Sequence, residues 1–249
     1  MDLSAYDLFQ YKLPEGSADE YAGQAIQILQ EMKIEFPEFY DEFKIPSEVL
    51  TLSGVRAFDT YNGLGESATK EQIAGIKALL RKHRILLLEE EFLPANDTSD
   101  DHQYSLVHLD ALDDLPNSYA YIPGWKPFYA EAMKQDFDFM TWWQLYWQKG
   151  IAVEARDNKH IQKALQHDWW VSHNISFGML LGYPGEAIVS CITENENDKI
   201  TDARIEHVDK FDGPKPVYVY HAFLANHPNI VAHEKLWSDI LMKVYKTLP

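Results

Sequence analysis

Histidines gather in the C-terminal part of the chain: His221, His227 and His233, with Glu234 beside the last. Imidazoles and a carboxylate can bind zinc or iron. Their spacing matches no ligand motif, and it lacks the i, i+4 pair that sets two ligands on one helix face. The sequence therefore predicts that these histidines share no metal ion, and no cofactor is expected; a metal protein using them stays as an alternative. Glu234 falls on the stripe Ile230, Glu234, Trp237, Leu241, Val244, Leu248. A charge on such a stripe must be paired, hydrated in a cleft or at its rim. The expectation is a salt-bridged or rim Glu234.

A second set of acid–base candidates surrounds the segment His173 to Ala187. His173 lies four residues from both Trp169 and Phe177, on an apolar stripe. It can be a general base, or a core histidine bonded to a backbone carbonyl. Gly182 and Pro184 pair a helix stop with a helix start. Free N–H groups at that start suit an anion, and Glu186 can fill the place from within. A tight corner, with Gly178 admitting a neighbouring backbone, is the structural alternative. His173, Glu186 and Glu234 are the acid–base groups of a hydrolase-like reading.

The run Leu180-Leu181-Gly182-Tyr183-Pro184, closed by Ala187 and entered by a helix with His173 and Gly178, resembles a motif of uncharacterised bacterial proteins. In that group the positions after Gly-Tyr-Pro hold small residues or cysteines. Here they are Gly185, Glu186 and Ala187, so thiol chemistry is not available. The resemblance implies no activity and transfers no catalytic residue.

Aromatic faces are the other resource. Phe139, Trp143 and Trp147 recur at helical spacing in a segment that is aromatic on nearly every side. Trp143, Trp147 and Tyr183 are candidate ligand-binding residues, since such rings can line a cleft. An all-round apolar helix is also the pattern of a buried core helix. Other chemistries lack support. Asp97, Ser99 and Asp101 begin like a calcium loop, but His102 stands where its glycine belongs. Gly63 and Gly65 lack the lysine of a phosphate loop. Cys191, the single cysteine, has no basic neighbour to lower its pKa.

The elements that must hold these residues are legible from capping and periodicity. Ser17–Glu20 and Thr69–Gln72 have capping-box form. Ala22, Ala25, Ile26, Leu29 and Met32 give the first helix a stripe, and Ile73, Ile76, Leu79 and Leu80 the second. A short aromatic helix is expected after Pro37. Val49 to Phe58 and Tyr104 to Leu109 read as strands, with Ile85 to Leu88 as a central one. Asn62 to Gly65 reads as a turn. Long helices are expected from Pro127 to before Gly150 and from Asp157 to Leu181. Ala187 and Ile188 are expected in a short helix, or in a strand. Val217 to Leu224 reads as a strand, and a last helix opens at Pro228. The basic cluster Arg81-Lys82-His83-Arg84 falls at a helix end, where cations complement the dipole.

Composition bounds the rest. The chain has 249 residues, 46% apolar and 13% aromatic, so a core built around rings is expected. Its formal charge of −17 repels phosphates and anionic lipids, which sets aside nucleic acid and membrane as partners. No secretory leader is read at Met1–Ser4 and no spanning segment elsewhere, so a cytoplasmic place is expected. The fold class is α+β: amphipathic helices packed on a mixed, mostly antiparallel sheet, in a single domain 1–249 whose weakest point is 97–101. The leading functional reading is a small-molecule or protein binding module.

Overall fold

The computed structural model describes residues 11–61, 64, 68–90, 103–118, 178–188 and 226–248. Helices α1 (Ala18–Glu35), α2 (Pro46–Leu52), α3 (Lys70–Lys82), α4 (Leu109–Ser118) and α5 (Pro228–Thr247) accompany strands β1 (Phe58–Tyr61), β2 (Ile85–Glu90) and β3 (Gln103–His108). Residues 178–180 and 185–188 are also helical. The class is α+β. Among the described residues the sheet is three-stranded and antiparallel throughout, in the order β1-β3-β2.

Contacts group the chain into two compact units. Residues 11–14, 113–118, 178–188 and 226–233 belong to the first; 15–61, 64, 68–90, 103–112 and 234–248 belong to the second.

In the second unit the helix starts are local chemistry. Ser17 Oγ accepts the Glu20 N–H at 3.3 Å, while Glu20 Oε2 accepts the Ser17 N–H at 2.7 Å. Thr69 and Gln72 make the same reciprocal pair at 3.2 and 2.8 Å. Each box satisfies donors that a helix start otherwise leaves to water. The buried face of α1 is Ala22, Ala25, Ile28, Leu29 and Met32, so Ile28 rather than Ile26 completes the stripe. On α3 the buried residues are Ile76, Leu79 and Leu80. After Pro37 the chain makes 3-10 turns, Pro37–Phe39 and Glu42–Lys44, that bury Phe39 and Phe43.

The expected strand from Val49 to Phe58 is not formed. Val49 to Leu52 lie in α2, and the strand begins only at Phe58. Pro46 supplies the preset φ of a first helical position, and Gly54, at φ +80°, ends the turn that follows. α2 is buried at Glu48 through Leu52, all sides at once, so it shows no helical period. The central strand also differs from expectation: β3 lies between β1 and β2. Tyr104 through His108 are all buried, as a strand covered on both faces requires. Its Leu106 is flanked by Asp59 and Leu87, and its Val107 by Phe58 and Leu86. Leu109 opens α4 rather than ending the strand.

The largest fully buried side chains are Trp237, Phe43, Phe58, Ile28, Leu29, Met32 and Leu50. The described core is thus aliphatic with a few ring anchors, not ring-built. Burying one such side chain contributes about 1.5–3 kcal/mol. The turn after α3 confirms the basic cluster as a helix end: Arg81 and Lys82 fill the last turn and His83 caps it. Arg84 then takes φ +57°, a left-handed conformation that glycine usually occupies there.

Candidate functional site

The corner at residues 178–188, in the first unit, is built by backbone chemistry. Gly182, at φ +72°, follows helical residues 178–180. Its N–H donates to Met179 O at 3.0 Å, and the Tyr183 N–H donates to Gly178 O at 2.9 Å. These are the paired bonds of a Schellman turn, and the left-handed φ explains the glycine. Pro184 then starts a new helical turn: its carbonyl accepts the N–H groups of Ala187 and Ile188 at 2.9 and 3.1 Å. Ala187 and Ile188 are therefore helical. Gly178 admits a side chain rather than a backbone. A Cβ placed there would stand 2.8 Å from Ile188 Cγ1.

The N-terminal part of α5 supplies this corner with polar groups. Asn229 Nδ2 donates to Glu186 Oε1 at 2.8 Å. His227 Nδ1 stands 3.8 Å from the same oxygen, with side-chain exposures of 37% for His227 and 24% for Glu186. Glu186 Oε2 is buried and has no hydrogen-bond partner. One turn further on, His233 Nε2 donates to the Gly182 carbonyl at 2.8 Å. That bond places the ring proton on Nε2. The Tyr11 ring meets the His233 ring edge-on at 5.7 Å between centroids.

Glu186 and His227, drawn from different chemical readings of the sequence, are thus brought together, with Asn229 as a third member that composition gave no reason to single out. His233 is buried and tied to a backbone carbonyl. No group of three metal-ligating side chains occurs among the described residues. Tyr183 is half-buried beside the turn. Glu234 is 4% exposed, which removes the rim placement expected for it. His173, His221, Trp143 and Trp147 lie outside the described residues, as do the helices expected from Pro127 and Asp157 up to residue 177, and the strand expected at Val217 to Leu224.

The second unit holds polar groups that sequence reasoning missed. Glu48, Arg56 and Asp59 are 5%, 4% and 6% exposed. An Arg56 Nη donates to Asp59 Oδ1 at 3.2 Å, and the guanidinium lies 5.8 Å from the centre of the Trp237 ring. Arg56 Nε and Asp59 Oδ2 have no hydrogen-bond partner. Ser47 Oγ donates to Glu48 Oε2 at 2.7 Å. Burial pushes the Glu48 carboxyl up to about 7, with Asp59 adding and Ser47 and Arg56 opposing.

His108, at the end of β3, is buried beside Gly54. The Ala111 N–H donates to its Nδ1 at 3.3 Å, and its Nε2 lies 2.8 Å from the Gln24 side-chain amide. The atom of Gln24 that approaches is its side-chain nitrogen, so both ring nitrogens of His108 have a polar neighbour. Desolvation holds this imidazole down at about 4. A signal for α2 existed in Pro46-Ser47-Glu48 and Ser53-Gly54, a start and a stop. The meeting of Glu48 with Asp59 had none, because it depends on how α2 packs on β1. No helix of the described residues is long and apolar enough to cross a membrane. No known protein family, curated protein or solved structure matches the chain.

Proposed function

We propose that the protein is a binding module, and that the corner of Glu186, His227 and Asn229 receives a cationic group of a small molecule or protein partner. The observation that carries this reading is the partly exposed Glu186 side chain, with Oε1 held by Asn229 and the buried Oε2 without a partner. A carboxylate fixed by an amide is oriented in advance, and an amine or guanidinium supplies donors for its remaining lone pairs. The formal charge of −17 favours the approach of cations and disfavours nucleic acid and anionic lipid. A cytoplasmic place accords with the single cysteine. The test is titration with spermidine and with methylguanidinium, read by calorimetry, on the natural chain and Glu186→Gln. A charge-assisted hydrogen bond is worth about 1.5–3 kcal/mol, so the substitution should weaken binding roughly tenfold to hundredfold. Equal binding by both chains, or none by either, removes the proposal.

The 3.8 Å approach of His227 Nδ1 to Glu186 Oε1 favours a second reading, in which the pair does acid–base work. Ester or amide turnover abolished by both His227→Gln and Glu186→Gln would favour this alternative.

A further inference from the structure

Among the described residues of the second unit, the buried charges around Glu48 do not balance if every carboxylate is ionised. Glu48 and Asp59 face a single guanidinium, Arg56. That guanidinium is committed to Asp59 Oδ1 and lies over Trp237 of α5. The other described groups around Glu48 offer no compensating cation. From its own helix, Ser47 donates one hydrogen bond. From the 3-10 turn, Lys44 Nζ is drawn over the rings of Tyr40 and Tyr245, at 5.5 and 5.7 Å. From β3, His108 is buried against Gly54 at the end of α2, and desolvation keeps it neutral. From α5, Tyr245 donates its hydroxyl proton to the Lys44 carbonyl. α1 contributes the uncharged Gln24 amide, which is spent on His108. Removing a carboxylate from water without a paired cation is costly, and a proton is the cheapest remedy.

We propose that Glu48 is a proton-operated latch: protonated, it leaves the buried group charge-balanced and the C-terminal half of α5 seated against the Lys44 turn, and on ionisation the excess negative charge loosens that seating. The part of α5 concerned carries Trp237, Leu241 and Val244, all buried, and Tyr245. Tyr245 feels Glu48 directly, since its phenol is pushed up to about 12 by burial, with Glu48 and Tyr40 adding. The sign follows from Glu48 lying higher in the folded chain than its ordinary 4.5. Stability from this group is full below about 4.5 and is lost as pH rises to about 7.

The experiment compares the full chain with Glu48→Gln, an uncharged mimic of the protonated carboxyl, by urea unfolding and amide hydrogen exchange from pH 5 to pH 8. Referred to Glu48→Gln, the folding equilibrium constant of the natural chain should fall roughly a hundredfold over that range. After correction for intrinsic rates, residues 237–247 should lose protection first in the natural chain and not in the variant. An identical pH response in both chains overturns the proposal. So does a Glu48→Gln chain that fails to fold at any pH, because the ionised form would then be the required one. Protection lost evenly across the unit, rather than first in α5, overturns the latch as well.

Discussion

The imidazole of His233 and the carbonyl of Gly182 are joined by a 2.8 Å hydrogen bond that closes the 178–188 corner from α5. The carbonyl belongs to the residue at φ +72° that ends one helical segment. The bond therefore holds the Gly182–Tyr183 peptide, whose N–H makes one of the two bonds of the turn. His233→Ala removes the donor and the edge contact with Tyr11. The expected loss is about 1–3 kcal/mol, from a buried polar group left unmet. His233→Gln keeps an N–H and should recover part of it. Urea midpoints of the three chains check this, and zinc or chelator should move none of them.

Gly178 is expected to show strong coupling with Ile188. A Cβ at Gly178 lies 2.8 Å from Ile188 Cγ1, inside contact distance. Gly178→Ala alone should cost about 1–3 kcal/mol through overpacking. In the background of Ile188→Ala the same substitution should cost little. A double-mutant cycle on denaturation midpoints reads the coupling, and simple additivity would contradict the contact.

Arg84 holds a conformation suited to glycine, at φ +57°, while its Nε donates to Asp110 Oδ1 at 2.5 Å. Both side chains are more than half exposed, so the ion pair contributes about 0–1 kcal/mol. Left-handed backbone costs a non-glycine residue about 1–2 kcal/mol. Arg84→Gly should therefore raise stability by about 0–2 kcal/mol. The gain should be larger in high salt, where the natural chain's ion pair is screened. Thermal unfolding at low and high salt decides the sign.

Acid should expose His108 once Glu48 is silenced. His108 is held at about 4 instead of 6.5 by burial, so its contribution is full above about 6.5 and is lost as pH falls toward 4. Glu48 acts oppositely over much of this window, gaining stability as its proton returns. The natural chain should thus change modestly between pH 6.5 and 4.5. Glu48→Gln should weaken steadily across the same interval. Urea midpoints at half-unit steps of pH check the difference.

What the sequence disclosed was local. The capping boxes at Ser17 and Thr69, the stop at Gly182 and the restart at Pro184 all join residues a few positions apart, and each is found where spacing placed it. α2 was misread because it has seven residues and is buried on every side, which leaves no period to detect. A histidine bonded to a backbone carbonyl was the structural reading offered for His173; His233 shows that arrangement. Whether a ring ends as ligand or strut depends on what packs over it, and periodicity does not carry that. Glu186 stood out by its place after a proline. Its neighbours Asn229 and His227 come from over forty residues downstream.

α5 also sets the order in which the second unit can mature during synthesis. Lys243 bonds Asp19, and the Tyr245 hydroxyl bonds the Lys44 carbonyl, across sequence separations of 224 and 201 residues. Trp237, Leu241 and Val244 are buried on the same helix. While the ribosome still holds α5, α1 and α2 have already emerged without these partners, and Arg56 without its indole. That interval leaves apolar surface uncovered for as long as the rest of the chain takes to be made, the period in which a nascent protein most needs a chaperone.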